Sequence, residues 1–287
     1  MNFPVYMFFF MSGFFLKTPI DNKFAFYKKR LPKLVVPYLF YTFVYLGMSM
    51  VVSRRIDAKQ IIFAVVFGTA STPLYYIVVL IYFTLLAPFL LEAIKSKKLS
   101  ITIFALTPAF LLFAYAIRFT GTDVWNYLKY TPVWLSFYYL GMVVKEHKPP
   151  FNKSILFILL PVSFVAELAS TTLLLNVDGF NAYTQLRFAG AFYSLILILL
   201  AFEYSKKTDS KDKRKWLAVI GDDSYAIYYM HCGFLMIFTK IIPFGENTIL
   251  PLYQLAEMIF AILMCKLFVY IIRKVIKNEN VRMIFGV

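Results

Sequence analysis

Residues 7–17 read Met7-Phe8-Phe9-Phe10-Met11-Ser12-Gly13-Phe14-Phe15-Leu16-Lys17. The stretch is apolar enough for lipid, yet its run, Phe3 to Leu16, ends at the first lysine. A bilayer core takes roughly 20 helical residues, so this segment is either a shallow helix or the remnant of a longer span. Reading outward from it settles the class. The chain is 61% hydrophobic and 20% aromatic with only 16% charged residues over 287 positions, more apolar surface than a soluble core of that size buries. Apolar segments recur near residues 3–16, 34–52, 73–94, 100–120, 131–146, 153–176, 187–204, 222–243 and 252–276, with a shorter interfacial or re-entrant stretch at 61–68. These predict an all-α fold: a polytopic transmembrane helix bundle of about nine spans, forming a single integral-membrane domain over residues 1–287. No charged n-region precedes the first run and no small-residue cleavage pattern follows it, which favours a retained segment over a signal peptide.

Charge gives the expected orientation. The formal net charge of +15 would suggest nucleic acid in a soluble domain, but here the basic residues fill the breaks between apolar runs. Loops 17–33, 95–98, 145–153, 206–215 and 273–282 collect 22 of the 30 lysines and arginines. The opposite side receives seven, including Arg54, Arg55, Arg118 and Arg187, and Lys266 lies inside the last span. The asymmetry predicts a cytoplasmic C-terminus, an external Met1 and no nucleic-acid partner. Cys232 and Cys265 both fall in apolar segments and have no metal-ligand spacing, so neither a disulfide framework nor a metal site is expected. The longest polar connection, 205–215, is an exposed cytoplasmic loop too short to be a domain, which leaves chemistry to the bundle and its mouths.

Ionisable groups at lipid depth are costly unless partnered, which makes each a functional candidate: Glu167, Arg187, Glu203, His231, Glu257 and Lys266. His231 lies in Gly221-Asp222-Asp223-Ser224-Tyr225-Ala226-Ile227-Tyr228-Tyr229-Met230-His231, about 13 Å along a helix from Asp222. Imidazole titrates near neutrality, as a general base for a hydroxyl requires; interhelical hydrogen bonding is the plainer role. Asp222, Asp223 and Ser224 are explained as helix N-caps. Arg30 and Lys33, three apart beside Lys29, share a helix face able to grip one phosphate, although positive-inside topology accounts for the same charges. Glu257 and Lys266 are too far apart to pair within one helix and should each meet another helix or snorkel. The aromatic groups Tyr75-Tyr76, Trp134-Tyr138-Tyr139 and Tyr225-Tyr228-Tyr229 suit sugar stacking or an interfacial belt.

In order, the blocks FFFMSGFFL (8–16), KRLPKLVVPY (29–38), LYYIVVLIYFTLLAP (74–88), TPVWLSFYYLG (131–141) and IGDDSYAIYYMH (220–231) resemble acyltransferase family 3, multi-span bacterial enzymes that acylate cell-surface polysaccharides. The resemblance covers almost the whole chain. It implies about ten spans with both ends in the cytoplasm and a histidine in the first. The Ser12-Gly13 block would close the second span, so the resemblance implies that the first is absent here and that the opening helix is a remnant of span two. The family's basic pair falls on Arg30 and Lys33, with lysine replacing a second arginine and so trading a planar fork for a point charge. Where the family opens its fourth span on a His-Leu-Trp-like motif, this chain has Pro73-Leu74-Tyr75-Tyr76, a departure that bears on the acceptor.

The activity implied is an O-acyltransferase of a bacterial inner membrane, moving acetyl or another acyl group from acyl-CoA to a hydroxyl of a cell-surface or lipid-linked glycan. No permanently bound cofactor is implied, and the bilayer, acyl-CoA and the glycan are the partners. On this reading Arg30, Lys33 and Lys29 hold the donor; the family's catalytic histidine would lie in the absent first span, and His231, the one intramembrane imidazole left in this sequence, is the catalytic candidate, as base or as an orienting hydrogen-bond partner. Ser12, Trp134, Tyr138, Tyr225, Glu167 and Arg187 line the substrate pocket. A catalytically silent homologue acting as a membrane partner is the alternative, and a glycan transporter or polymerase the lower one, since no symmetry of interrupted helices between two halves is evident.

Overall fold

A computed structural model describes residues 3–53, 57–118, 120, 123, 129–130, 132–206, 221, 223–245 and 249–287. Arg54, Arg55, Thr131, Ile220, Asp222 and nearly all of the 205–215 connection lie outside them. Among the described residues all regular structure is helical, as lipid demands of a chain whose backbone must satisfy itself. Each apolar segment contains a helix. They are α1 (Phe3–Phe14), α2 (Lys23–Ser53), α4 (Tyr75–Ala93), α5 (Lys97–Arg118), α6 (Leu135–His147), α7 (Lys153–Asp178), α8 (Phe188–Ser205), α9 (Ser224–Ile241) and α10 (Leu250–Val275), with α3 (Ala58–Phe67) in the short stretch and α11 (Glu279–Ile284) near the end.

Six stretches are long and apolar enough to cross a membrane: Lys23–Val51, Thr72–Ala93, Lys97–Arg118, Lys153–Leu175, Phe188–Ser205 and Leu250–Val275. The protein is a multi-pass membrane protein. Of the nine segments predicted, α1 and α6 fall short in length at 12 and 13 residues, and α9 is diluted by its tyrosines, His231 and Lys240.

The chain divides into two compact units, each discontinuous in sequence: Met1–Lys23 with Tyr82–Asp209, and Phe24–Ile81 with Ser210–Val287. In the first unit α1 packs on α6 and α8, α5 on α6, and α7 on α8. The α1–α6 crossing is a backbone contact. A Cβ at Gly13 would stand 2.0 Å from the Tyr138 carbonyl oxygen, and one at Gly141 would stand 2.1 Å from that of Phe10. Small residues at membrane-helix crossings permit this approach, and here they give the Ser12-Gly13 block its structural reason. Gly141→Ala must push rigid backbone aside and should cost about 1 to 3 kcal/mol. A lowered midpoint of thermal unfolding in detergent checks this; an unchanged midpoint would contradict the crossing.

Polar side chains tie α5 to α6. Pro108 cannot donate to the Phe104 carbonyl one turn earlier. The Ser136 hydroxyl contacts that oxygen at 3.2 Å and the Ile103 oxygen at 3.0 Å, while Thr107 Oγ1 donates to Val133 O at 2.6 Å. Aromatic rings fill the same unit: Tyr6 and Phe9 contact Trp134 at 5.2 and 5.9 Å, and Phe83 meets Tyr138 at 5.4 Å.

In the second unit α9 packs on α10, and a row of tyrosines on α2 joins the other elements. Tyr38, Tyr41 and Tyr45 recur at a spacing of one helix face and are all buried. Tyr38 donates to the α3 carbonyls of Ala64 and Val65 at 3.0 and 2.8 Å. Tyr41 stacks on Tyr229 at 4.9 Å and donates to Phe285 O at 3.2 Å.

Candidate functional site

His231 lies two turns into α9, half-buried. Its Nδ1 is 3.1 Å from the Ile227 carbonyl oxygen. A carbonyl only accepts, so Nδ1 donates to it, and in the neutral ring this leaves the lone pair on Nε2. That nitrogen faces Cys232 Sγ at 3.4 Å, a weak donor that an alcohol would outcompete. The turn around the imidazole is held from α2. The Tyr45 hydroxyl donates to Tyr229 O at 2.7 Å and accepts from Gly233 N at 3.2 Å. These are the two backbone groups that an unbroken helix would pair with each other. A hydroxyl set into the ladder directly beside His231 is a recognised cause of local helix distortion, and a Cβ at Gly233 would meet that oxygen at 3.7 Å, an ordinary contact.

The basic residues of α2 belong to the same unit. Lys29 and Lys33 are exposed and Arg30 is half-buried. Arg30 lies close enough to Tyr225 for its charge to bear on the phenol, and its Nε is buried with no hydrogen-bond partner. Tyr225 is linked in turn to the Tyr229 hydroxyl at 2.9 Å, which donates to Leu34 O at 3.3 Å. Six residues separate Tyr225 from His231, about 9 Å along the helix axis.

Asp223 does not cap α9, contrary to the expectation from its position. It occupies the N-cap position without a side-chain cap bond; its 3%-exposed carboxylate ion-pairs with Lys266 and, at 2.7 Å, with Arg273. Burial favours full-charge partners over backbone amides, and here they come from α10. Lys266 thereby finds the second helix it requires. Asp222 lies outside the described residues.

Glu167 and Arg187, both 2% exposed, pair within the first unit at 2.5 Å. Arg187 also bonds Thr171 Oγ1 and, through Nε, Thr184 O at 3.1 Å. The next two carbonyls are taken as well, Gln185 O by Tyr6 at 2.6 Å and Leu186 O by Arg118 at 2.7 Å. Residues 184–187 are the non-helical lead into α8, and such backbone at membrane depth must be satisfied by protein. Arg118, near the end of the predicted segment 100–120, is the last residue of α5 and 1% exposed. The sequence signal for its role was its place at the end of an apolar run. Trp134 and Tyr138 are 0% and 1% exposed, packed in the aromatic layer of this unit; Ser12 is half-buried on α1. The expected site residues thus divide: Lys29, Arg30, Lys33, Tyr225 and His231 in one unit, and Ser12, Trp134, Tyr138, Glu167 and Arg187 in the other.

Among the described residues no three or more His, Cys, Asp or Glu side chains gather as a metal site. The family model described as an acyltransferase domain, that of acyltransferase family 3, matches residues 1–273. No curated protein and no solved structure matches the chain.

Proposed function

Because the chain belongs to acyltransferase family 3, we propose that it moves an acyl group, acetyl in the first instance, from acyl-CoA to a hydroxyl of a cell-surface or lipid-linked glycan in a bacterial cytoplasmic membrane. The observation that supports this beyond family membership is the pairing, within one unit, of an orphaned guanidinium nitrogen on Arg30 with an imidazole whose Nε2 lone pair is available on His231. Arg30, aided by Lys33 and Lys29, holds donor phosphate in charge-assisted hydrogen bonds. The pantetheine arm then carries the thioester the length of a helix turn or two toward His231.

Nε2 of His231 takes the proton of the acceptor hydroxyl as its oxygen attacks the thioester carbonyl carbon. The carbon–sulfur bond breaks, the imidazolium returns its proton to the departing thiolate, and the products are the glycan ester and free CoA. The Tyr45 hydroxyl fixes the turn that carries the imidazole, and the Ile227 carbonyl orients the ring. The excess of basic residues in alternate loops supports a donor side and a C-terminus in the cytoplasm, where acyl-CoA is found.

Arg30→Ala should weaken binding of acetyl-CoA to the purified protein by about 10- to 150-fold, the range for a hydrogen bond to a charged group. Isothermal titration checks it. Unaltered affinity would remove Arg30 from the donor site, and absence of any binding by the parent protein would sink the proposal.

A further inference from the structure

A second polar feature lies in the first unit, in residues the transfer reaction does not use. Phe14, Phe15 and Phe202 line a cavity of about 390 Å³ together with Lys145, Lys148 and Lys206. Lys206 stands 4.4 Å over the Phe202 ring and pairs with Glu203 at 2.5 Å, so one of the three positive charges is offset. Lys145 donates to the Leu16 carbonyl, a neutral partner that fixes its position and leaves its charge. Lys148 ends α6 in the left-handed conformation, φ 44°, with its side chain exposed. Among the described residues, then, no carboxylate pairs with Lys145 or Lys148, and their two positive charges border the phenylalanines. At one side Phe15 is 62% exposed, an apolar ring that lipid chains cover in a membrane protein.

We propose that this pocket binds the phosphate of an anionic phospholipid, with Lys145 and Lys148 on the phosphate and an acyl chain along Phe15. The charge calls for an anion, and a soluble anion leaves the phenylalanines bare. The three lysines stand at the ends of apolar helices, where headgroups lie. A zwitterionic lipid brings its own cation and gains less.

The test is native mass spectrometry of the full chain extracted from bilayers of phosphatidylcholine containing phosphatidylglycerol. The parent protein should retain phosphatidylglycerol in preference to phosphatidylcholine. Lys148→Asn, neutral and suited to left-handed backbone, should reduce retention about fivefold, the worth of one lysine near an anionic surface. Lys148→Glu should reduce it further, and Lys97→Asn, which removes a lysine outside the pocket, should not. Equal retention of both lipids, or equal loss from Lys148→Asn and Lys97→Asn, overturns the proposal. So does release of the lipid by coenzyme A at concentrations where inorganic phosphate has no effect, because the pocket then belongs to the donor.

Discussion

Replacing His231 with alanine should slow acyl transfer to a glycan hydroxyl by about 10²- to 10⁴-fold, the usual loss when a positioned base is removed, while acetyl-CoA binding is retained. The two readouts separate base from scaffold. If the imidazole only braces α9, then His231→Gln, which keeps a side-chain hydrogen-bond donor near Ile227 O, should restore most of the rate. If Nε2 removes the hydroxyl proton, His231→Gln should be as slow as the alanine variant, because an amide is not a base at neutral pH. Transfer undiminished in His231→Ala would place the base elsewhere in the chain.

The second large effect concerns stability. Arg187→Ala leaves the Glu167 carboxylate buried without its cation and frees the Thr184 carbonyl, and should cost about 3 to 5 kcal/mol. Glu167→Ala strands Arg187 and should cost a similar amount. The double replacement Glu167→Leu with Arg187→Met removes both charges and should recover most of that loss, since buried ion pairs often exchange for apolar residues at little net cost. Thermal unfolding of the four proteins in one detergent measures it. If the doubly replaced protein is stable and still transfers acyl groups, the pair is architecture. Stability recovered without activity would assign it to the acceptor.

Much of this arrangement was legible in the sequence because the membrane narrows the choices. An apolar run at lipid depth is a helix, and each predicted segment contains one. Charge at lipid depth is expensive, which singled out Glu167, Arg187 and His231 before any contact was known. What escaped the sequence depends on distance along the chain. Asp223 sits where local rules make it a cap, yet its partners are 43 and 50 residues on, at Lys266 and Arg273, and local spacing carries no trace of them. Trp134 and Tyr138 could be belt, sugar platform or packing on composition alone; their contacts with Tyr6, Phe9 and Phe83 became visible only in the fold. Arg118 enters the sequence reading only as one charge on the external side, whereas its guanidinium donates to the Leu186 carbonyl just before α8.

The glycine-to-backbone crossing of α1 and α6 also bears on how the protein is made. Gly13 of α1 meets its partner positions, Tyr138 and Gly141, only after more than a hundred further residues have been made. At ribosomal speeds of about 5–20 residues per second, the nascent helix waits on the order of ten seconds for the surface that holds it. Through that interval its phenylalanines depend on the insertion machinery or the bilayer surface for cover. Assembly of the first unit is therefore set by translation and by whatever shelters α1, and slowing synthesis between the two segments should lower the yield of folded protein without touching the stability of what does fold.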